Sequence, residues 1–379
     1  KLNYDPTAGP LFTADSLVSG KFDEPGVAGA DVNLPADQVL WTTYNDLNRS
    51  LTTALYGSEP IGLECQVTLW GYKRTDAMGN CYFRRYRLIN KGGAVIDDVG
   101  TRGTFYIDSM YVCQWSDPDL GESGDDVVGC DTTKSLGYVY NGWPTDPEYA
   151  GYRLPPPSSG WDFMAGPVVP GKSTDSAVYN FKRVYGKKNL PMTGFAYFSS
   201  GSALSDPRPR TYSIGGMRWW KMLRGYAPQD GPDVYYPFPP GITPGPFPLS
   251  GDPVTGRGSV DGLGQAYSMS PGDRRLLLCS GPFSLAPGDT NEIVVAVVTG
   301  MGADRLSSVA VLKFNDQFVQ NTFDALFVVP NVPSPNVNVA QLDRNIVLDW
   351  GWDPQTIDKS ENKLINPGGF VFEGYNVYQ

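Results

Sequence analysis

The 379-residue chain contains no histidine. That absence excludes Ser-His-Asp and Cys-His nucleophilic catalysis, HExxH zinc sites and every other mechanism that needs an imidazole. Carboxylate pairs, Ser-Lys arrangements and oxygen-liganded metals stay open. No CxxC spacing occurs among the five cysteines, so a zinc-finger thiolate set is not expected. Long apolar runs are missing too. The longest, Ile293 to Val298, has the length of a strand and falls far short of the roughly 18 residues of a membrane helix. No secretory apolar region opens the chain, which starts at Lys1, so either a removed leader or a longer parent chain is expected.

Charge is scarce and its balance is acidic. Charged residues make up 18% of the chain and the net charge is −10, whereas a nucleic-acid binder carries a basic stripe. The basic clusters are Arg84-Arg85-Arg87, in a strand-like segment, and Lys182-Arg183 with Lys187-Lys188, in an expected loop. Nucleic acid is therefore not an expected partner, and no transmembrane segment is expected.

Turn formers and aromatics are what the chain has in excess. Gly (44) and Pro (33) together make about a fifth of it, nearly double the usual share. The 22 Tyr, 17 Phe and 9 Trp suit pleated surfaces. The expected class is mainly β: an antiparallel β-sandwich with long Pro/Gly-rich loops and one amphipathic helix, filling residues 1–328 in one or two subdomains.

The pattern of apolar residues supports this. Leu63, Cys65, Val67 and Leu69 alternate with polar residues, and CYFRRYRLIN (81–90) supplies a return strand after the turn RTDAMGN. Strands are also expected over 103–115, 136–143, 194–200, 274–285 and 291–300. The last two read as a pair joined by the turn APGD, and the continuous apolar run of the second marks a central strand buried on both faces. GGMRWWKMLRGYAP (215–228) suits a short helix. DRLSSVAVLKFNDQFVQNTFD (304–324) predicts a longer one, with Asp304 as N-cap and Leu306, Val309, Ala310, Phe314 and Phe318 on one face. The Pro-rich 228–250 stretch reads as an ordered excursion or a spacer. VPNVPSPNV (329–337) is a linker by composition.

One segment concentrates charge. WSDPDLGESGDDVVGCD (115–131) holds six carboxylates, Asp117, Asp119, Glu122, Asp125, Asp126 and Asp131, and no Lys or Arg lies between Arg102 and Lys134. Calcium takes six to eight oxygen ligands from carboxylates, carbonyls and water. Asp117, Asp119, the Gly121 carbonyl, Ser123 and Asp125 stand at alternate positions of such a loop, and Asp126 or Asp131 could close the shell. The alternative is a solvated acidic loop screened by salt. Cys113 and Cys130 flank this loop, and Cys65 and Cys81 flank the hairpin turn, so two disulfides, Cys65–Cys81 and Cys113–Cys130, are expected, with buried thiols as the alternative. Bridges would imply an oxidising compartment. A rival chemistry is glycoside hydrolysis by two carboxylates drawn from Asp117, Glu122, Asp125 and Asp126, with Trp143, Trp161, Trp219 and Trp220 stacking on sugars.

Several phrases, NCYFRRYRLINKGG, DPDLGESGDDVVGCDTTKSLGYVYNG, SGDPVTGRG, GDRRLLLCSGPFSLAPGDTNEIVVAVV and FEGYNVYQ, together resemble large secreted multidomain β-sandwich proteins similar to type IX secretion substrates. The segment from NIVLDWGW to GYNVYQ resembles the B and C strands of a fibronectin type III domain. About 45 residues follow the linker where such a domain needs roughly 100, so 338–379 is expected to be a partial one. Four Asp-Ser/Thr tripeptides, at Asp15, Asp108, Asp131 and Asp175, resemble bacterial O-glycosylation sites. The resemblance implies a secreted or cell-surface, non-enzymatic structural or adhesive protein. Its expected partners are other extracellular subunits or surface glycans. A carbohydrate-binding or glycoside-hydrolysing protein is the alternative.

Overall fold

Segments with a period of two form strands, and two antiparallel sheets collect them. The computed structural model describes residues 34–262, 269–328, 335–361, 372 and 374–375. The larger sheet contains β1 (Gln38–Asn45), β2 (Leu63–Gly71), β3 (Cys81–Asn90), β5 (Asp126–Asp131), β6 (Leu136–Asn141), β7 (Ser158–Ala165) and β10 (Thr290–Gly300). Its order is β1-β2-β3-β10-β7-β6-β5. The smaller sheet has the order β8-β9-β4, from Gly194–Ser199, Arg274–Leu285 and Ile107–Ser116. The molecule is mainly β, as the composition required.

β10 is the middle strand of the seven, and its apolar run serves two cores. Val294, Ala296 and Val298 face the helix α3 (Arg305–Asp324), whereas Ile293, Val295 and Val297 face the smaller sheet. Each side chain of Val or Ile size so buried contributes about 1.5–3 kcal/mol. β9 and β10 do not pair with each other, contrary to the expectation for the two strands around APGD. β9 lies in the smaller sheet, between β8 and β4, and β10 in the larger, between β3 and β7. The four-residue turn carries the chain from one layer to the other, because two strands this apolar each need a sheet on either side.

α3 begins as expected. Asp304 Oδ1 accepts from the backbone N–H groups of Leu306 at 2.9 Å and Ser307 at 2.8 Å, and Ser307 Oγ accepts from Asp304 N–H. Its buried face is the expected one in part. Val309 is buried and Leu306 and Phe318 pack against the core, with Leu312, Asp316, Val319 and Phe323, whereas Ala310 is exposed and Phe314 is 61% exposed. The helix sits close on the larger sheet, since an added Cβ at Gly300 would lie 2.2 Å from Leu312 N. The expected helix over 215–228 is shorter: a π-turn over Tyr212–Gly216 leads into α2 (Met217–Leu223), which covers the outer face of the smaller sheet. A further helix, α1 (Arg49–Tyr56), capped by Asn48, has no counterpart in the sequence reading.

The Pro-rich stretch is an ordered strap. Tyr236 stacks on Tyr197 with centroids 4.9 Å apart. Phe195 N–H donates to the Pro246 carbonyl at 2.8 Å, and Cys130 N–H to that of Leu249 at 3.1 Å. The strap thus satisfies the open edges of β8 and β5, which proline carbonyls can do although proline cannot donate.

The two expected disulfides are not formed, and all five cysteines are free thiols. Cys65 opposes Leu88 near one end of the β2–β3 hairpin. Cys81 opposes Val298 at the other end, facing the α3 core. Cys113 and Cys130 belong to different sheets, and the direct cross-strand neighbour of Cys113 is Cys279.

Asn338–Gln341 and Ile346–Asp349 pair as an antiparallel hairpin, exposed at every residue, followed by a helix over Pro354–Glu361. Most of the linker and of the strand expected over 369–379 lies outside the described residues, as does the tripeptide at Asp15.

Candidate functional site

The acidic segment is not one loop. β4 ends at Ser116, a short 3-10 turn spans Ser123–Asp125, and β5 starts at Asp126. Asp126 and Asp131 stand at opposite ends of β5, about 17 Å apart at the usual strand rise. The seven expected calcium-binding residues therefore do not converge. Each finds its own surroundings.

Asp131 Oδ2 meets Lys313 Nζ at 3.1 Å, and its Oδ1 accepts from Thr133 Oγ1 at 2.7 Å. Burial pushes its carboxyl up, but these partners hold it below the ordinary range. Asp125 Oδ1 accepts from Asn141 Nδ2 at 2.9 Å. Asp126 is fully buried, accepts from Leu120 N–H at 3.2 Å, and is pushed up to about 8, by burial first and then by its acidic neighbours. Gly121, at φ +71°, lies against Asp146, whose Oδ2 an added Cβ would approach to 2.3 Å. Ser123 sits in the 3-10 turn whose cap is Glu122.

Two of the seven do come together, with a residue from far along the chain. Oxygens of Asp117, Asp119 and Asp273 lie within 4.8 Å of one another. Arg275 braces this corner: its Nε is 2.8 Å from Asp117 Oδ2, its Nη2 is 3.1 Å from Asp273 Oδ2, and it also contacts Asp206. One guanidinium thus pairs with three carboxylates, and Asp119 is a fourth negative charge at the corner, which leaves it electronegative. Asp119 reaches it by adopting φ +41°, a left-handed conformation that Asp tolerates better than most residues.

A second acidic group has no counterpart in the sequence reading. Asp162 of β7 and Asp316 of α3 are 0% and 1% exposed, and line a cavity of about 270 Å³ with Lys134, Gln320 and Asp324. Their carboxyls lie close enough to interact, and no oxygen of either has a hydrogen-bond partner. Two charges so close and so buried repel each other unless a proton or a cation stands between them. Burial, then the nearness of Asp316, holds Asp162 well above the ordinary range. Burial lifts Asp316 to about 7 against the pull of Lys134, 3.8 Å away. The one sequence sign was an Asp within the apolar stretch Trp161–Ala165.

The tryptophans expected to stack on sugars are mostly committed to packing. Trp161 is buried, Trp219 packs edge-on against Phe198 and Tyr56, and Trp220 against Tyr111. Trp143 is 53% exposed. In the tripeptide at Asp131, which resembles an O-glycosylation site, Asp131 Oδ1 accepts from both Thr133 N–H and Thr133 Oγ1. Among the described residues no helix is long and apolar enough to cross a membrane. No family model matches the chain, and no curated protein is significantly similar to it.

Proposed function

We propose that this chain is a non-enzymatic, secreted or cell-surface β-sandwich module. Its role is structural or adhesive, as part of a larger extracellular assembly, and Ca²⁺ stabilises it at the acidic corner. The observation that carries this reading is the convergence of Asp117, Asp119 and Asp273 within 4.8 Å. Three carboxylates from two distant segments offer part of an all-oxygen shell, which backbone carbonyls and water complete. A bound ion fastens the loop after β4 to the start of β9, and relieves the charge that Arg275 alone leaves. Such partly exposed sites fall in the weak range of extracellular modules, roughly 10⁻⁴–10⁻³ M.

Thermal unfolding with millimolar CaCl₂ against EGTA tests this. Calcium at about ten times its Kd adds about 1.4 kcal/mol, so the wild type should melt a few degrees higher with calcium, and Asp119→Asn with Asp273→Asn should lose the increment. Superimposed melting curves for the wild type would refute the calcium reading.

One observation favours carbohydrate binding as a second reading. A groove of about 410 Å³, between β1–β3 and β4, is lined by Tyr44, Tyr86, Trp115, Arg84 and Gln114. Aromatic faces beside amide and guanidinium donors are the chemistry that sugars need. Binding on a glycan array, lost in Trp115→Ala, would support it.

A further inference from the structure

The Asp162–Asp316 pair is separate from the acidic corner and lies on the other face of the larger sheet. Trp161 and Phe163 of β7 point toward the smaller sheet, whereas Met164, like Asp162, belongs to the α3 side. None of the four carboxylate oxygens of Asp162 and Asp316 has a hydrogen-bond partner. Lys134 Nζ lies 3.8 Å from Asp316 Oδ2, beyond hydrogen-bond distance, and donates to Gln317 Oε1 at 2.6 Å. Buried carboxylates are ordinarily paired or bound to metal, because an unpaired one costs several kcal/mol. The cavity that both residues line adds further oxygens. Asp316, Gln320 and Asp324 recur at i, i+4 and i+8 along α3, and Thr133 and Ser135 also line the cavity.

We propose that Asp162 and Asp316 bind a hard divalent cation in this cavity, clamping α3 to β7. The donor set is oxygen throughout, which suits Ca²⁺, Mg²⁺ or Mn²⁺ over softer metals. The ion sits between the facing carboxylates, and any proton they hold leaves to solvent. Gln320, one turn further along the same helix face, completes the shell with water, and Asp324, two turns along, adds negative charge to the cavity.

Mn²⁺ titration of the full chain, read by electron paramagnetic resonance, tests this. The background is Asp119→Asn with Asp273→Asn, which disables the acidic corner. One equivalent should bind there, and adding Asp162→Asn or Asp316→Asn should weaken it by at least about tenfold. Each Asn is isosteric and can donate to the remaining carboxylate, so the variants are expected to fold, which circular dichroism checks. Anomalous scattering from Mn²⁺ in crystals of the wild type, located between β7 and α3, gives a measurement that needs no variant. If Mn²⁺ binds the wild type but not the corner-disabled background, the proposal fails while the calcium reading stands. If the background binds Mn²⁺ and Asp162→Asn leaves that affinity unchanged, the proposal also fails.

Discussion

Asp126 offers a direct test of how burial sets charge in this fold. Its carboxyl is fully buried at the start of β5, and its pKa is raised from 3.8 to about 8, chiefly by burial. The folded protein therefore holds this proton more tightly than the unfolded chain does. Stability from the group is complete below about 3.8 and is lost as pH rises through about 8. Between those values the folded state binds about one proton more, so stability falls by about 1.4 kcal/mol per pH unit. Asp126→Asn keeps an oxygen for Leu120 N–H and removes the titration. Stability relative to this variant should therefore fall by about 3 kcal/mol from pH 5 to pH 7. It should level off above about pH 8. Urea denaturation of both proteins at each unit of pH measures the difference. Parallel stability curves across that range would refute the reasoning, because they would mean that Asp126 ionises normally despite its burial.

Two further outcomes follow from packing. Under native conditions a thiol-alkylating reagent should modify Cys113 ahead of the other four cysteines, since that residue alone is exposed, but slowly, because burial of the thiol pushes its pKa up to about 12. A mass two units below that of five free thiols, and no labelling of Cys113 before unfolding, would show instead a Cys113–Cys279 bridge. Gly300→Ala should destabilise by about 1–3 kcal/mol through overpacking against α3, and an unchanged urea midpoint would show that α3 shifts without cost.

Much of the β architecture was legible because strand periodicity is local. Leu63–Leu69 alternates, Ile293–Val298 does not, and those two patterns alone separate a strand near an edge from one with cores on both sides. The cap of α3 was legible for the same reason, since Asp304 acts on N–H groups two and three residues away. The face of α3 was legible only in part. Phe314 reads as core and Asp316 as surface, yet the contact with β7 reverses them, with Asp162 beneath the helix facing Asp316. Likewise Asp117 and Asp119 were visible as acidic, but Asp273, Asp206 and Arg275 come from segments roughly 90–160 residues away, and nothing in either segment announces the other. The disulfides were misjudged because closeness along the chain was taken for closeness in space. The nine-residue β2 carries the chain from Cys65 to the turn end of the hairpin, where Cys81 starts β3, and a change of sheet separates Cys113 from Cys130.

The sequence alone thus determined which segments pleat, which is central, and where the long helix starts, for these depend on neighbours within a few residues. Tertiary structure alone decided which charges meet and which are stripped of water. Coulomb and desolvation energies depend on distance and burial, and the chain sets both only when its two sheets close over each other.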